Sequence, residues 1–217
     1  LATRVFTAFP AVLPNGQWVG NPLRAAFLQV TDPATRFAAR TGPLKLLVLG
    51  GSLGAKALNE IVPRALALLP AQGRPLVTHQ SGARQLDALR ANYAAAEVQA
   101  ELTPFIDDTA QAMRDADLVL CRAGASTVTE IAAVGAAALF VPFPFAVDDH
   151  QTSNARFLVD QGAGWLQPQS ALSPEWLADM LLKIERGVLM ERGLAAKKLQ
   201  KIDATEKIVA ACEELLR

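Results

Sequence analysis

A short apolar strand that turns directly into a helix is the segment of this chain best equipped for chemistry. Leu118 to Leu120 are typical of a buried parallel strand, and Gly124 permits a tight backbone turn after it. Ser126 or Thr127 is suited to cap the helix that follows. The free N–H groups and positive dipole end of a helix N-terminus bind anions without a metal. The segment therefore predicts a cradle for a diphosphate.

Glu130 lies one turn into the same predicted helix, within reach of a sugar hydroxyl if a nucleotide occupies the cradle. A carboxylate beside the apolar run 131–134 needs a polar partner, because burying an unpaired charge is costly. The alternative is that this glycine, alanine, serine and threonine form an ordinary strand-to-helix connection of an α/β protein. The motif alone leaves both interpretations open.

A second glycine loop, Gly50-Gly-Ser-Leu-Gly-Ala55, follows the apolar run 44–49 and again indicates a strand, a turn and a helix start. It does not match the P-loop, because Lys56 is followed by Ala57 and the spacing to the first glycine differs. It also does not match the G-x-G-x-x-G dinucleotide pattern. The two loops are expected to converge on one ligand, and neither NAD binding nor ATP hydrolysis is supported.

Composition excludes several classes of function. The chain has 217 residues, of which 51% are apolar and 6% aromatic, and its formal net charge is zero. It has no basic excess to neutralise nucleic-acid phosphates and few aromatic side chains for base stacking, so no nucleic-acid partner is expected. No apolar run approaches the roughly 20 residues that span a bilayer. Cys121 and Cys212 lack metal-ligand spacing and indicate core or surface thiols of a soluble, cytoplasmic protein.

Short apolar strands alternate with longer amphipathic helices along the chain. Strands are predicted near 44–49, 75–79, 98–101, 117–121, 138–142 and 163–166, and helices over 55–69, 83–96, 107–115, 126–134, 149–161, 173–186 and 188–216. Pro63 is expected to kink or restart the first long helix. The alternation predicts an α/β fold, a Rossmann-like parallel sheet with helices on both faces and ligands at the carboxyl ends of the strands.

A series of motifs resembles the MurG family of N-acetylglucosaminyltransferases. In chain order they are Gly20–Arg24, Gly50–Ala55, His79–Gly82, Phe105–Asp108, Arg122–Glu130 and Asp148–Asn154. The resemblance covers nearly the whole chain at family-like spacing. It implies the GT-B architecture, in which two Rossmann-like domains enclose a donor cleft, and this chain resembles the second of them.

The resemblance implies three parts. Residues 1–20 would be the tail of an N-terminal domain and the interdomain linker, 21–202 the UDP-sugar donor-binding domain, and 203–217 a C-terminal helix that crosses back to the first domain. In the family that first domain carries the catalytic base, so no catalytic residue is expected in this chain, which should bind donor without turnover. An apolar face left exposed on the last helix would favour dimerisation.

The family's diphosphate contacts carry over residue by residue. Arg24 would approach the nucleotide diphosphate, with Ser52 of the first glycine loop beside it. Ala125, Ser126 and Thr127 would line the diphosphate at the helix N-terminus. For Arg24, the alternative is a solvated linker residue.

The other implied contacts are to the nucleoside and the sugar. Ile106 would face the uracil, mainly through backbone groups, and Glu130 would accept hydrogen bonds from the ribose hydroxyls. His150, Gln151 and Asn154 would hold the sugar hydroxyls, since a helix starting near residue 149 places them on one face. Many relatives have glutamine in place of His150, so its role depends less on the resemblance than that of Gln151.

Three further polar groups have competing interpretations. His79 ends a strand and is expected either to cap its loop or to touch ligand. Asp115-Ala-Asp117 matches the D-x-D metal motif of another glycosyltransferase class but stands at the wrong end of its strand, so these aspartates are expected to cap the preceding helix and its turn. Asp148 and Asp149 are expected to be a helix N-cap pair rather than catalytic carboxylates. No metal and no cofactor are predicted.

The implied reaction is an inverting displacement. The C4 hydroxyl of the muramoyl sugar of lipid I attacks the anomeric carbon of UDP-N-acetylglucosamine, and lipid II forms at the cytoplasmic face of the bacterial inner membrane. Lipid I would be bound through the first domain. Two alternatives stay open: another nucleotide-sugar enzyme, such as a glycolipid synthase or an epimerase, and a noncatalytic nucleotide-binding module.

Overall fold

The computed structural model describes residues 2–29, 31–51, 54–146 and 149–216. Its strands are β1 (Phe6–Thr7), β2 (Gln17–Trp18), β3 (Lys45–Leu49), β4 (Leu76–Gln80), β5 (Glu101–Thr103), β6 (Leu118–Cys121), β7 (Ala138–Phe140) and β8 (Gly164–Leu166). β1 and β2 form a small parallel pair, and the other strands form a 6-stranded parallel sheet in the order β5-β4-β3-β6-β7-β8. This is the doubly wound order, with its switch point between β3 and β6. The predicted fold class is confirmed.

The helices pack on both faces of this sheet. They are α1 (Pro33–Ala38), α2 (Lys56–Ala67), α3 (Leu86–Ala95), α4 (Thr109–Asp115), α5 (Ala125–Val134), α6 (His150–Val159), α7 (Pro174–Lys183), α8 (Arg186–Lys198) and α9 (Ala204–Leu215). Leu46 and Val48 of β3 enter the core shared with α2, α3 and α7, whereas Leu47 and Leu49 enter the core shared with α4, α5 and α6. Burial on both faces explains why this strand is a continuous apolar run.

Two predicted boundaries are wrong. The strand predicted at 98–101 is β5 at Glu101–Thr103, because Glu97 adopts a φ of 53° and the N–H of Val98 bonds to the carbonyl of Tyr93, 3.2 Å away. These residues close the end of α3 and delay the strand. The helical stretch predicted over 188–216 is divided into two helices, α8 and α9, and α9 begins at Ala204, next to the start at 203 predicted for the C-terminal helix.

Pro63 lies inside α2 without ending it, so the predicted restart is wrong. Proline has no N–H, and the carbonyl of Asn59 therefore loses its partner within the helix. The side-chain amide of Asn92 on α3 donates to that carbonyl at 2.9 Å. A neighbouring helix thus replaces the hydrogen bond that proline removes.

The segment before the sheet packs against later parts of the chain. The rings of Phe9 and Trp18 lie 5.1 and 5.7 Å from that of Phe157 on α6. Arg4 contacts Glu214 of α9. Along α9, Val209 is 50% and Leu215 55% exposed, so this helix does present apolar side chains to solvent. Across the described parts of the chain, every helix is too short or too polar to cross a membrane.

His79 is completely buried and neither caps its loop nor reaches the strand-end crevice. Its Nε2 lies 3.1 Å from Oδ1 of Asn59, and its Nδ1 lies 3.0 Å from the hydroxyl of Tyr93. The Asn59 amide nitrogen donates to the carbonyl of Ser81 and to Oε1 of Gln85. Nε2 is therefore the donor and Nδ1 the acceptor of a neutral imidazole, which supports the loop after β4.

We expect His79 to make stability depend on pH. Burial lowers the pKa of His79 from 6.5 to about 3, so between these values the unfolded chain binds more protons. The stabilisation is complete above pH 6.5 and is lost as the pH falls toward 3. Urea denaturation of the native chain should lose about 2 kcal/mol between pH 7 and pH 5 from this group.

The control for this prediction is His79→Gln, because a glutamine amide offers a donor and an acceptor without titrating. For this variant, the difference in the free energy of unfolding between pH 7 and pH 5 is expected to be smaller by about 2 kcal/mol, whatever its stability at pH 7. An unchanged difference between pH 7 and pH 5 would contradict the assignment to His79.

Candidate functional site

The strands next to the switch point end at the same level. Leu49 of β3 is paired with Cys121 of β6, so the glycine loops after these strands leave neighbouring positions at the carboxyl edge of the sheet. In open α/β sheets, this is where ligands bind. Ser52, predicted to approach a diphosphate, lies outside the described residues.

The N-terminus of α5 opens onto this edge. Gly124 is its N-cap, no side chain caps it, and the first bond within the helix joins the N–H of Val128 to the carbonyl of Gly124 at 3.0 Å. Ala125, Ser126 and Thr127 precede that bond, so their N–H groups have no partner within the helix. Ser126 and Thr127 are therefore first-turn residues, and the prediction that one of them caps the helix is wrong.

Gly124 also differs from its predicted role. Its φ is −62°, a value open to any residue, so it is not required for a tight turn. A Cβ on this glycine would meet no heavy atom nearer than Oγ1 of Thr127, at 3.9 Å. The glycine instead leaves space beside the uncapped helix end, which suits close approach of an anion to the backbone.

Arg24 and Glu130 were predicted to touch different parts of a nucleotide, and they contact each other. Nη2 of Arg24 lies 3.4 Å from Oε1 of Glu130 and donates to Oγ1 of Thr109 at 2.5 Å. The guanidinium also stacks over the ring of Phe27, 5.1 Å from its centroid. Arg24 therefore contacts groups of the site, while its side chain is 59% exposed and remains largely solvated.

The carboxylate of Glu130 is partly shielded from solvent. Its side chain is 18% exposed, and burial raises its pKa while the charge and hydrogen bond of Arg24 act in the opposite direction. The next side chain toward the N-terminus, Thr129, accepts a hydrogen bond from Asn21 at 2.9 Å. The segment that carries Arg24 is thereby attached to α5. The carboxylate lies one turn from the uncapped N–H groups, as the sequence predicts.

Ile106 lies in the loop between β5 and α4 and is half-buried against the α4–α5–α6 side of the core. A groove of about 960 Å³ runs along the face of β3, β4 and β5 beside α4. Of the described candidate residues, only Ile106 lines it. The groove therefore adjoins the position predicted for the base and not the N-terminus of α5.

Gln151 and Asn154 face the loop that begins α5. Oε1 of Gln151 accepts from the backbone N–H of Ala123 at 3.2 Å and from that of Phe143 at 3.0 Å. Nδ2 of Asn154 donates to the carbonyl of Ala123 at 3.1 Å. Both amides thus brace the loops around the site. The Gln151 amide nitrogen and the Asn154 amide oxygen are the atoms suited to a ligand.

His150 is the exposed first residue of α6. Asp149 stands at the predicted N-cap position, but in a left-handed conformation with a φ of 50° and without a capping hydrogen bond to the backbone; its carboxylate instead accepts from the Thr152 hydroxyl at 2.7 Å. Asp148 lies outside the described residues. A non-glycine residue at positive φ stores backbone strain, a feature that clusters at functional sites.

Arg122 begins one of the motifs quoted above, but sequence reasoning gave it no role. Its Nη1 donates to the carbonyls of Val141 and Pro142 at 2.9 and 3.1 Å, and its Nη2 to Oε1 of Gln169 at 2.6 Å. Burial lowers its pKa. A charged residue directly after the buried strand β6 was the available signal, although its partners come from distant parts of the chain.

Metal-binding chemistry has little support in the described ranges. No group of three or more histidine, cysteine or acidic side chains there is arranged to hold a metal ion. Cys121 is buried, and its pKa is raised by burial and by the charge of Glu130, whereas Cys212 is exposed. Both are free thiols, in agreement with the sequence analysis.

Comparisons with known proteins show the family of this chain. A family model described as the glycosyltransferase family 28 C-terminal domain matches residues 45–210. A curated protein of Albidiferax ferrireducens, named UDP-N-acetylglucosamine--N-acetylmuramyl-(pentapeptide) pyrophosphoryl-undecaprenol N-acetylglucosamine transferase, is 87% identical over 100% of this chain and 56% of its own length. A protein of the same name from a Polaromonas species is 72% identical over 100% of the chain and 56% of its length.

A solved structure extends the likeness to three dimensions. The crystal structure of Acinetobacter baumannii MurG is 40% identical, has a TM-score of 0.88, and is matched over 98% of this chain and 60% of that one. The chain thus spans little more than half the length of these relatives. The resemblance to MurG that the sequence motifs indicate is confirmed, and this chain belongs to glycosyltransferase family 28, of which it has the C-terminal domain.

Proposed function

We propose that this chain is the donor-binding domain of an inverting transferase that moves N-acetylglucosamine from UDP-N-acetylglucosamine to lipid I, forming lipid II. The observation that carries the proposal is the uncapped N-terminus of α5 at the switch point, with the Arg24–Glu130 pair one turn away. The names of the relatives supply the donor and the acceptor. An uncapped helix end binds a diphosphate, and a carboxylate beside it accepts ribose hydroxyls.

The N–H groups of Ala125, Ser126 and Thr127 would hold the diphosphate, and Ser52 would approach it from the first glycine loop. Arg24 would turn part of its guanidinium from Glu130 toward the phosphates. These groups would offset the charge that grows on UDP as it leaves, which is the electrostatic form of catalysis. The chain would therefore supply the leaving-group half of the reaction.

The remaining contacts would select the base and the sugar. Backbone groups near Ile106 would read the edge of uracil. The Gln151 amide nitrogen would donate to a sugar hydroxyl and the Asn154 amide oxygen would accept from one, because their other amide atoms already hold Ala123. His150 would lie at the rim of the sugar site.

The acceptor site and the base that deprotonates the C4 hydroxyl would come from a part of the enzyme outside these 217 residues. No metal or cofactor is needed for this scheme, since backbone N–H groups and Arg24 take the place of a cation. We further propose a peripheral position at the cytoplasmic face of the inner membrane, where lipid I would be met. The exposed apolar side chains of α9 would contact that missing part or a second copy of the chain.

Calorimetric titration of the chain with UDP-N-acetylglucosamine, UDP-glucose and GDP tests this function. We expect saturable binding of UDP-N-acetylglucosamine, weaker binding of UDP-glucose because the sugar contacts differ, and no binding of GDP at the same concentrations. Equal binding of UDP-N-acetylglucosamine, UDP-glucose and GDP would indicate a phosphate site that selects neither base nor sugar, as in a noncatalytic nucleotide-binding module. Failure to bind any uridine nucleotide at millimolar concentration would contradict an autonomous donor domain.

A further inference from the structure

Arg122 joins three loops at the carboxyl edge of the sheet. It stands between β6 and the uncapped N-terminus of α5. Its guanidinium donates to the carbonyls of Val141 and Pro142, where β7 ends and the loop toward α6 begins. It also donates to Gln169, in the turn between β8 and α7, and lies over the ring of Phe143 at 5.6 Å.

The same two loops are joined a second time through Gln151. Its Oε1 accepts from the N–H of Ala123, directly after Arg122, and from the N–H of Phe143, directly after Pro142. A side chain from the first loop and a side chain from α6 therefore hold the same pair of segments together. The position of the Gln151 amide nitrogen depends on both connections.

The contacts of Arg122 distinguish it from a residue that grips a phosphate. Each of its hydrogen-bond acceptors named above is a backbone carbonyl or a side-chain amide oxygen of this chain, and one face of its guanidinium is covered by Phe143. A planar guanidinium with several fixed donors is suited to hold several oxygens at set angles, whereas lysine is a point charge without that geometry.

We propose that Arg122 is a positioning residue that holds the loop of residues 141–146 next to the diphosphate cradle and, through the bond from Phe143 to Gln151, sets the position of the Gln151 amide that would contact the sugar. It thereby determines how much the donor sugar adds to the affinity of the nucleotide, without touching the donor. This inference rests on the proposed function. Gln169 lies outside both loops. Its side-chain oxygen accepts from Nη2 of Arg122 and so orients the guanidinium toward the two carbonyls.

The test compares Arg122→Lys with a matched control elsewhere in the chain. Arg192 is also half-buried, donates to the carbonyls of Gly162 and Gly164 at 3.2 and 2.8 Å, and stacks on Trp165 at 4.0 Å. These contacts lie at the amino end of β8, on the opposite edge of the sheet. Arg192→Lys therefore removes a similar set of guanidinium contacts without altering the loops of the site.

Calorimetry should show that Arg122→Lys lowers the affinity for UDP-N-acetylglucosamine by about tenfold. The affinity for UDP should change by less than about threefold, because the loop of residues 141–146 moves and the diphosphate cradle does not. Arg192→Lys should leave the ratio of these affinities unchanged. Gln169→Ala should shift the ratio in the same direction, and the double variant should add little to Arg122→Lys. Equal losses for UDP and UDP-N-acetylglucosamine, or no loss, would overturn the inference.

Hydrogen exchange in the absence of ligand separates this inference from the proposed function. The amide of Phe143, bonded to Gln151, should exchange about tenfold faster in Arg122→Lys than in the native chain, and at the native rate in Arg192→Lys. Unchanged exchange at Phe143 would overturn the inference whatever the nucleotide data show. If the native chain binds no uridine nucleotide, the proposed function fails while this result still decides the role of Arg122 in the loops.

Discussion

Replacing Asp117 by alanine is expected to lower the free energy of unfolding by about 3–5 kcal/mol. The Asp117 side chain is 1% exposed, and its carboxylate accepts from Nη1 of Arg40 at 2.9 Å and from Nε of Arg186 at 3.3 Å. It also accepts from the backbone N–H of Lys45 at 2.8 Å. Removing the carboxylate leaves two largely buried guanidinium groups without their counter-charge and one N–H without its acceptor.

The position of this cluster predicts a loss of stability without a direct loss of binding. Lys45 and Asp117 stand at the amino ends of β3 and β6, and Arg186 begins α8, so the carboxylate ties together the edge of the sheet opposite the candidate site. These contacts also correct the sequence interpretation, in which Asp117 capped a helix and its turn. It is instead a buried centre of two ion pairs.

Urea denaturation measures the effect of Asp117→Ala, and Asp115→Ala is its control. Asp115 belongs to the same D-x-D pattern but is exposed and accepts one hydrogen bond from Gln111, at 2.8 Å. The Asp115→Ala substitution is expected to lower the free energy of unfolding by less than about 1 kcal/mol. Comparable losses for the two variants would contradict the importance of burial and pairing at Asp117.

The second large effect is expected for Glu130→Ala, which should weaken UDP binding by about tenfold to a hundredfold. Hydrogen bonds to a charged group contribute about 1.5–3 kcal/mol, and in the proposed complex this carboxylate accepts the ribose hydroxyls. Calorimetry with UDP measures the loss. Glu191→Ala, which changes an exposed glutamate on α8, should bind like the native chain.

A second ligand makes the test specific for the ribose. 2′-Deoxy-UDP should bind the native chain more weakly than UDP, and Glu130→Ala should no longer distinguish the two. Burial raises the pKa of Glu130, so its carboxylate is protonated at a higher pH than that of an ordinary glutamate. As the pH is lowered, the affinity of the native chain for UDP should therefore begin to fall earlier than an unshifted glutamate would predict. Persistent discrimination by Glu130→Ala would show that another group reads the ribose.

The order of the elements and the place of the site could be predicted from the sequence. The apolar runs of β3 and β6 are buried on both faces, so their composition alone marks them as central strands. A short connection from strand to helix then places a helix N-terminus at the carboxyl end of the strand. Glu130 falls one turn inside that helix by spacing alone.

Side-chain partners could not be predicted, because they lie far apart in the chain. Arg24 and Glu130 are 106 residues apart, and Asn59 reaches Asn92 and His79 only because α2, α3 and β4 pack together. The same packing reassigns His79 from a possible ligand contact to a neutral core residue. The capping prediction for α5 also failed, since cap residues depend on local torsion angles rather than on residue type alone.

For this protein, then, the sequence by itself determined the α/β alternation, the two glycine loops, the family and the edge of the sheet at which a ligand belongs. These follow from local patterns of apolar residues, glycine and spacing, which act over a few residues. Tertiary structure decided that Asp117 is a buried ion-pair centre and that Arg122 braces two loops. Such roles depend on which distant oxygens and charges folding brings within about 3 Å, where the low local dielectric makes a hydrogen bond stronger and an unpaired group more costly.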